Sequence, residues 1–170
     1  MKLEIEVPLP PAALSPNHSV GSLGARLSKA NRYENYKEMV RLVALEAARA
    51  IGWVPPERAR ISLVYGVKAT KGERAGHKLD RPYRPHDWDN AVSAFKAGQD
   101  GLVAKPERVD KNGVRYAAVP GVLRGDDRQC LEGGSVTFEP SEGPWVRVTI
   151  EAISVAGAVP MLDTNDEGDG

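Results

Sequence analysis

Cysteine is almost missing from this chain. Cys130 is the only one in 170 residues, so no internal disulfide can form and a reducing compartment is expected. Histidine is scarce as well: His18, His77 and His86 stand apart without metal-ligand spacing and read as polar surface residues. No apolar run approaches the roughly 20 residues needed to span a bilayer. The start, M-K-L-E-I-E-V, alternates and lacks the apolar block of a signal peptide. Net charge is zero, which removes any global pull toward nucleic acid. There is no repeat and no G-x-x-x-x-G-K-[ST] phosphate loop. Ser15 and Ser19 lack a base-and-acid arrangement, and Cys130 has no histidine partner signalled nearby.

What remains is globular: hydrophobic residues at 41% and charged residues at 27% suit one ordinary domain. Leu3, Ile5, Val7 and Leu9 alternate with Glu4, Glu6 and Pro8 as a half-buried edge strand. Asn31, with Glu34 three residues on, has the form of a helix N-cap with a capping box. The helix that follows puts Tyr33, Tyr36, Val40, Val43, Ala47 and Ile51 on one face. Leu42 and Leu45 lie off that stripe, so cover on more than one side is expected. Gly52 and Pro55-Pro56 stop it. Ile61, Leu63, Tyr65 and Val67 alternate as a second strand. Asn112-Gly113 signals a hairpin over 108–116, Val136 and Phe138 a short strand, and Val146, Val148, Ile150 and Ala152 a closing strand.

The order is β-α-β-α-β-β, which predicts a single small α+β (mixed α/β) domain over 1–154, with a mixed sheet and two main helices. Residues 155–170 read as an acidic, disordered tail. Asp163, Asp166, Glu167 and Asp169 give it about −4, most simply as a solvating end. That tail balances a basic middle. From Arg58 to Arg84 there are eight basic residues against Glu73 and Asp80, about +6. Within it, K-A-T-K-G-E-R-A-G-H-K lacks periodicity and reads as a mobile loop whose cations could meet phosphate.

The organising stretch is H-D-W-D-N-A-V-S-A-F-K-A-G-Q-D, His86 to Asp100. Taken as one helix from Trp88 to Val103, it sets Asp89, Ser93, Lys96 and Asp100 at roughly 0°, 40°, −20° and 20°, on one side. Trp88, Val92, Phe95, Leu102 and Val103 form a separate apolar stripe. A solvated face with i,i+4 charge pairs is the plain alternative. Gly-Asp-Asp at 125–127 adds acidic residues from another segment, though it could be only a turn. Asp87, Asp89 and the Asp126-Asp127 pair suit Mg2+, a hard cation held by a few carboxylates plus substrate phosphate, with Mn2+ as a substitute. Lys96 would steady charge developing on that phosphate. An EF-hand counted from Asp87 fails, because its sixth and twelfth positions hold Val92 and Gly98. A metal-dependent glycosyltransferase also uses D-x-D, but the chain shows no nucleotide-binding βαβ pattern.

Three pieces carry a family resemblance: L-S-P-N at 14–17, D-W-D-N with F-K-A-G-Q-D-G-L at 87–102, and G-V-L-R-G-D-D-R-Q-C at 121–130. In these, and in their order, the chain resembles the RusA family of Holliday-junction resolvases (crossover junction endodeoxyribonucleases) of phages and prophages. The resemblance implies a homodimeric, Mg2+-dependent nuclease that makes paired symmetric nicks in a four-way DNA junction, in recombination and repair. It implies a cytoplasmic setting, in a bacterium or a phage-infected cell, without membrane attachment. Carried over by position, Asp87, Asp89, Lys96 and Asp127 would be catalytic. Asp87, Asp89 and Asp127, with Asp126 as the alternative, would bind metal. The basic run, not the positional match, makes Lys68, Lys71, Arg74, Lys78, Arg81 and Arg84 the expected DNA contacts, with Asn17 and Asn90 from the matching motifs beside them. One departure is that the lysine stands seven residues after Asp89 rather than four, one helical turn further along the same face. A hairpin insertion at 108–116 is the other, and it leaves open which of Asp126 and Asp127 faces the metal. A junction-binding protein without turnover and a phosphohydrolase of small nucleotides are the competing functions.

Overall fold

A computed structural model describes residues 1–15, 21–67, 72–74, 77–79 and 88–154, with backbone alone for 72–74, 77–79 and 88–90. In chain order the elements are β1 (Lys2–Pro8), a 3-10 turn (Ala12–Leu14), α1 (Leu23–Ala50) and β2 (Ala59–Val67). Next come β3 (Gly72–Arg74), β4 (His77–Leu79), α2 (Trp88–Ala94) and α3 (Lys96–Leu102). The chain continues through β5 (Arg108–Val109), β6 (Arg115–Tyr116), β7 (Leu131–Pro140) and β8 (Trp145–Ala152). This is the α+β fold that the sequence pattern predicts.

The main sheet has the order β1-β8-β2-β7 and is mixed: β1 and β2 flank β8 antiparallel, while β7 runs parallel to β2. β1 is an edge strand, as its proline requires. The closing strand β8 is last in the chain but central in the sheet. Register sets Leu3 opposite Ile150, Ile5 opposite Val148 and Val7 opposite Val146. All six are buried, so the two-residue alternation gives the sheet one apolar face. The other face carries Glu4, Glu6 and Glu139 around Arg147, whose guanidinium also lies 4.6 Å over the Trp145 ring.

Helix α1 covers the apolar face, and it starts earlier than Asn31. Ser22 is the cap, its Oγ accepting the Ala25 N–H at 3.2 Å, while Glu34 pairs with Lys37 on the helix surface. The Asn31–Glu34 spacing mimics a capping box, but the alanine-, leucine- and lysine-rich turn before it is already helix-forming. Tyr36, Val40, Ala44 and Ala48 form the buried row, with Tyr33, Val43 and Ala47 flanking it. Ile51 does not belong to that face. It lies past the last turn and is 48% exposed. Leu45 packs at the core margin, whereas Leu42 is exposed, so cover on a second side is partial. Gly52, at φ +62°, ends the helix in the left-handed region that glycine enters most easily.

The expected single helix over 88–103 is two helices. At Phe95 (φ −81°, ψ 0°) the N–H is shared between the carbonyls of Ala91 and Val92, both at 3.2 Å, and the axis breaks. The break delivers the Phe95 ring into the core, edge-on to Tyr36 at 6.4 Å. Of the expected stripe, Phe95 and Leu102 are buried and Val92 and Val103 half-buried; the Trp88 side chain is outside the described residues. The basic segment is also not a featureless loop: β3 and β4 pair antiparallel, Glu73 opposite Lys78 and Arg74 opposite His77. The hairpin at Asn112-Gly113 forms as β5 and β6. Among the described residues no helix is long and apolar enough to cross a membrane.

Helix α3 lies against α1 so closely that a Cβ on Gly101 would stand 2.3 Å from the Lys37 carbonyl oxygen. Gly101→Ala is therefore expected to push the helices apart, at a cost of about 1–3 kcal/mol. In thermal denaturation this is a fall of roughly 3–10 °C in Tm for a chain of this size. An unchanged Tm would show that α1 and α3 do not meet at this distance.

Candidate functional site

The acidic helix and the Gly-Asp-Asp turn converge on Lys96. Its Nζ lies 2.8 Å from Asp100 Oδ1, one turn along α3, and 2.9 Å from Asp126 Oδ2, which arrives from a separate segment. Asp100 is held in turn from α1, because the Tyr33 hydroxyl donates to its Oδ2 at 2.5 Å. Three pieces of chain thus meet in one string: Tyr33, Asp100, Lys96 and Asp126. The Lys96 and Asp126 side chains are about half exposed, whereas Asp100 is 27% exposed and sits deeper. The outer end of the string is open to a ligand and its inner end is packed.

Sequence position fixes this local geometry. Lys96 is the first residue of α3 and Asp100 follows at i+4, so both project to one side. Asp126 is brought in by the segment before it. Val122 and Leu123 are buried, and both donate backbone N–H to the Leu102 carbonyl, at 2.8 and 2.9 Å. The Trp53 indole donates to the Val122 carbonyl at 2.9 Å, which anchors the same segment to the end of α1. Asp127 does a different job. Its Oδ1 accepts the N–H of Gln129 (2.8 Å) and of Cys130 (3.0 Å), a side-chain turn that leads into β7. Of the two candidates for a third carboxylate, Asp126 meets Lys96 and Asp127 turns back onto its own loop.

The charges bias one another. Partial burial works against the Lys96 ammonium, but its hydrogen bonds to Asp100 and Asp126 outweigh this and hold its pKa above the ordinary lysine value. The Lys96 hydrogen bond and charge hold Asp126 below the usual aspartate value, with help from Lys105. Burial, and then the bond to Asp100, raises the Tyr33 phenol far out of the physiological range, so Tyr33 stays a proton donor. Because the folded pKa of Asp126 is depressed, its contribution to stability is present above the ordinary aspartate pKa. That contribution fades as pH falls through the lowered value. With Asp126 about half exposed, solvent keeps it small.

The other candidate residues fall as follows. Asn17, Lys68, Lys71, Arg81, Arg84 and Asp87 lie outside the described residues, as does the tail 155–170. Arg74 and Lys78 sit on β3 and β4, and Asp89 and Asn90 open α2 behind Trp88, all placed by backbone alone. Ser93 is exposed on α2 and, with the break at Phe95, is no longer on one continuous stripe with Lys96. Among the described residues no three His, Cys, Asp or Glu side chains form a metal-ligand group. Asp126 nonetheless has the right chemistry for a hard cation: it is an exposed carboxylate with a second oxygen beyond the one Lys96 takes. Asp100 enters the site through the K-x-x-x-D spacing visible in the sequence. Tyr33 has no such signal, being 67 residues away from its partner.

No family model matches the chain, and no curated protein matches it.

Lys96 and Asp126 can be tested directly by following carboxyl carbons in an NMR titration. The Asp126 midpoint is expected below the ordinary aspartate value and should rise in Lys96→Gln. A midpoint that does not move would mean that the ion pair is absent in solution.

Proposed function

We propose that this chain is a Mg2+-dependent endonuclease of branched DNA, acting as a homodimer on four-way junctions, in line with its resemblance to the RusA resolvases. One observation carries the reading. Lys96 is clamped between carboxylates from two separate segments, on the helix pair whose first turn carries Asp89. A lysine so placed offers a fixed positive charge where a phosphate would gain negative charge during cleavage. Asp100 and Tyr33 restrict where that ammonium points, and pre-set orientation is a large part of catalytic advantage. Asp87, Asp89 and Asp126 are the residues that would hold Mg2+, or Mn2+ in its place. When bound, the ion would polarise the phosphate and make a bound water a stronger nucleophile. Lys68, Lys71, Arg74, Lys78, Arg81 and Arg84 would draw in the DNA backbone, with Asn17 and Asn90 near the scissile strand. A two-fold dimer presents two sites with the symmetry of a junction, as paired nicking requires.

The experiment is cleavage of an end-labelled four-way junction with Mg2+, beside linear duplex and free nucleotides. Paired symmetric nicks on the junction are expected, with far slower cutting of duplex and none of nucleotides. Asp126→Asn should lower the rate at least about a hundredfold. Asp127→Asn should weaken the fold by about 1 kcal/mol while leaving the rate within a few-fold. Cleavage without Mg2+, equal rates on junction and duplex, or greater damage from Asp127→Asn would contradict the proposal.

A further inference from the structure

The excursion between α3 and Asp126 has no role in the site so far, yet it is built from the site outward. Its two legs are zipped together at the base. Lys105 and Val119 exchange both backbone hydrogen bonds at 2.8 Å, and the Ala104 N–H donates to the Leu123 carbonyl at 2.8 Å. Lys105 also acts electrostatically on Asp126. Beyond that clamp stands the β5–β6 hairpin, closed by a turn that satisfies itself. Asp110 Oδ1 accepts the N–H of Asn112 (2.8 Å) and of Val114 (2.9 Å). The Arg108 guanidinium lies 4.7 Å over the Tyr116 ring, directly across the hairpin.

Among the described residues nothing covers this ribbon. Val109, Val114 and Tyr116 are 59%, 50% and 42% exposed, an unusual exposure for three apolar side chains on a hairpin too short to be stable alone. Its cations are Lys105, Arg108, Lys111 and Arg115, set against Glu107 and an Asp110 already engaged in the turn. Four cations around an arginine–tyrosine stack suit a nucleic-acid strand: guanidinium groups pair with phosphate, and any base can stack on an aromatic face. They suit a second copy of the same hairpin poorly, since like charges would meet. Three residue steps lead from Lys105 to Arg108, a reach of at most about 10 Å, or about three base steps along one strand.

We propose that the β5–β6 hairpin is a second DNA-binding surface, which holds by stacking and phosphate pairing the strand that runs away from Lys96 and Asp126. This rests on the DNA-cleaving reading of that site. The test is binding of the full-length protein to a fluorescent four-way junction in EDTA, where cutting is suppressed, across a salt series. The triple variant Arg108→Ala/Arg115→Ala/Tyr116→Ala alters only exposed side chains. It is expected to bind about tenfold more weakly, the scale of one lost base stack, with a log–log salt slope shallower by about two. A milder variant, Arg108→Gln/Arg115→Gln with Tyr116 kept, should flatten the slope by the same amount should the triple variant fold poorly. Unchanged affinity and slope in both would overturn the hairpin assignment while the cleavage reading stands. Wild-type protein that binds no junction would overturn both. Weaker binding accompanied by a smaller sedimenting mass than wild type would assign the hairpin to a contact between copies instead.

Discussion

The contact that the rest depends on is the approach of α3 to α1 at Gly101, where one helix backbone rests on the other. Any side chain there would collide with the Lys37 carbonyl. The approach brings Asp100, the residue before it, under the Tyr33 hydroxyl, and it leaves Lys96 at the outer end of α3 facing the Gly-Asp-Asp turn. The junction between α2 and α3 falls at Phe95, on the same side of the core. At that junction the Phe95 N–H is shared between two carbonyls, and its buried ring meets Tyr36 edge-on. Losing such a buried ring typically costs about 3–5 kcal/mol, far more than the exposed ion pairs around Lys96 can contribute. Packing places the charges here, and the charges do not hold the fold.

A second regularity serves the same end. Three half-polar aromatics each donate one hydrogen bond from one element to another. The Tyr36 hydroxyl reaches the Pro8 carbonyl at 2.8 Å, Tyr65 the Ala91 carbonyl at 2.7 Å, and Trp53 the Val122 carbonyl at 2.9 Å. These bonds tie α1 to β1, β2 to α2, and the segment before Asp126 to the α1–β2 connection. Their ring bodies add apolar packing, while the polar tips fix register. The site is therefore supported from three directions even though its outer charges are open to solvent.

Much of this was legible in the sequence, and the failures are instructive. Period-two alternation marked β1 and β8, which bury one face, and β2, whose Leu63, Tyr65 and Val67 are buried although Gly66 between them is buried as well. Asn112-Gly113 marked the hairpin because that turn chemistry is local. The single helix over 88–103 was not recoverable from periodicity: a break of one residue keeps the helical spacing on either side, and only the backbone hydrogen bonds at Phe95 reveal it. The false start at Asn31 shows that a capping-box spacing inside a long helix looks the same as a real cap. Asp126 and Asp127 are indistinguishable as letters, and their roles separate only through the backbone N–H groups of Gln129 and Cys130. Tyr33 is a tertiary partner, invisible until α1 and α3 are set side by side.

The proposed function requires that Tyr33, Asp100, Lys96 and Asp126, joined by direct contacts, act as one unit at the reacting phosphate. A double-mutant cycle on Lys96 and Asp126, read in the Mg2+-dependent rate of junction cleavage, probes it most directly. Residues that work as a unit give strongly non-additive losses. Lys96→Ala/Asp126→Asn should then cleave no more slowly than the worse of the two single variants. Losses that simply multiply would contradict a shared role, leaving two independent surface charges.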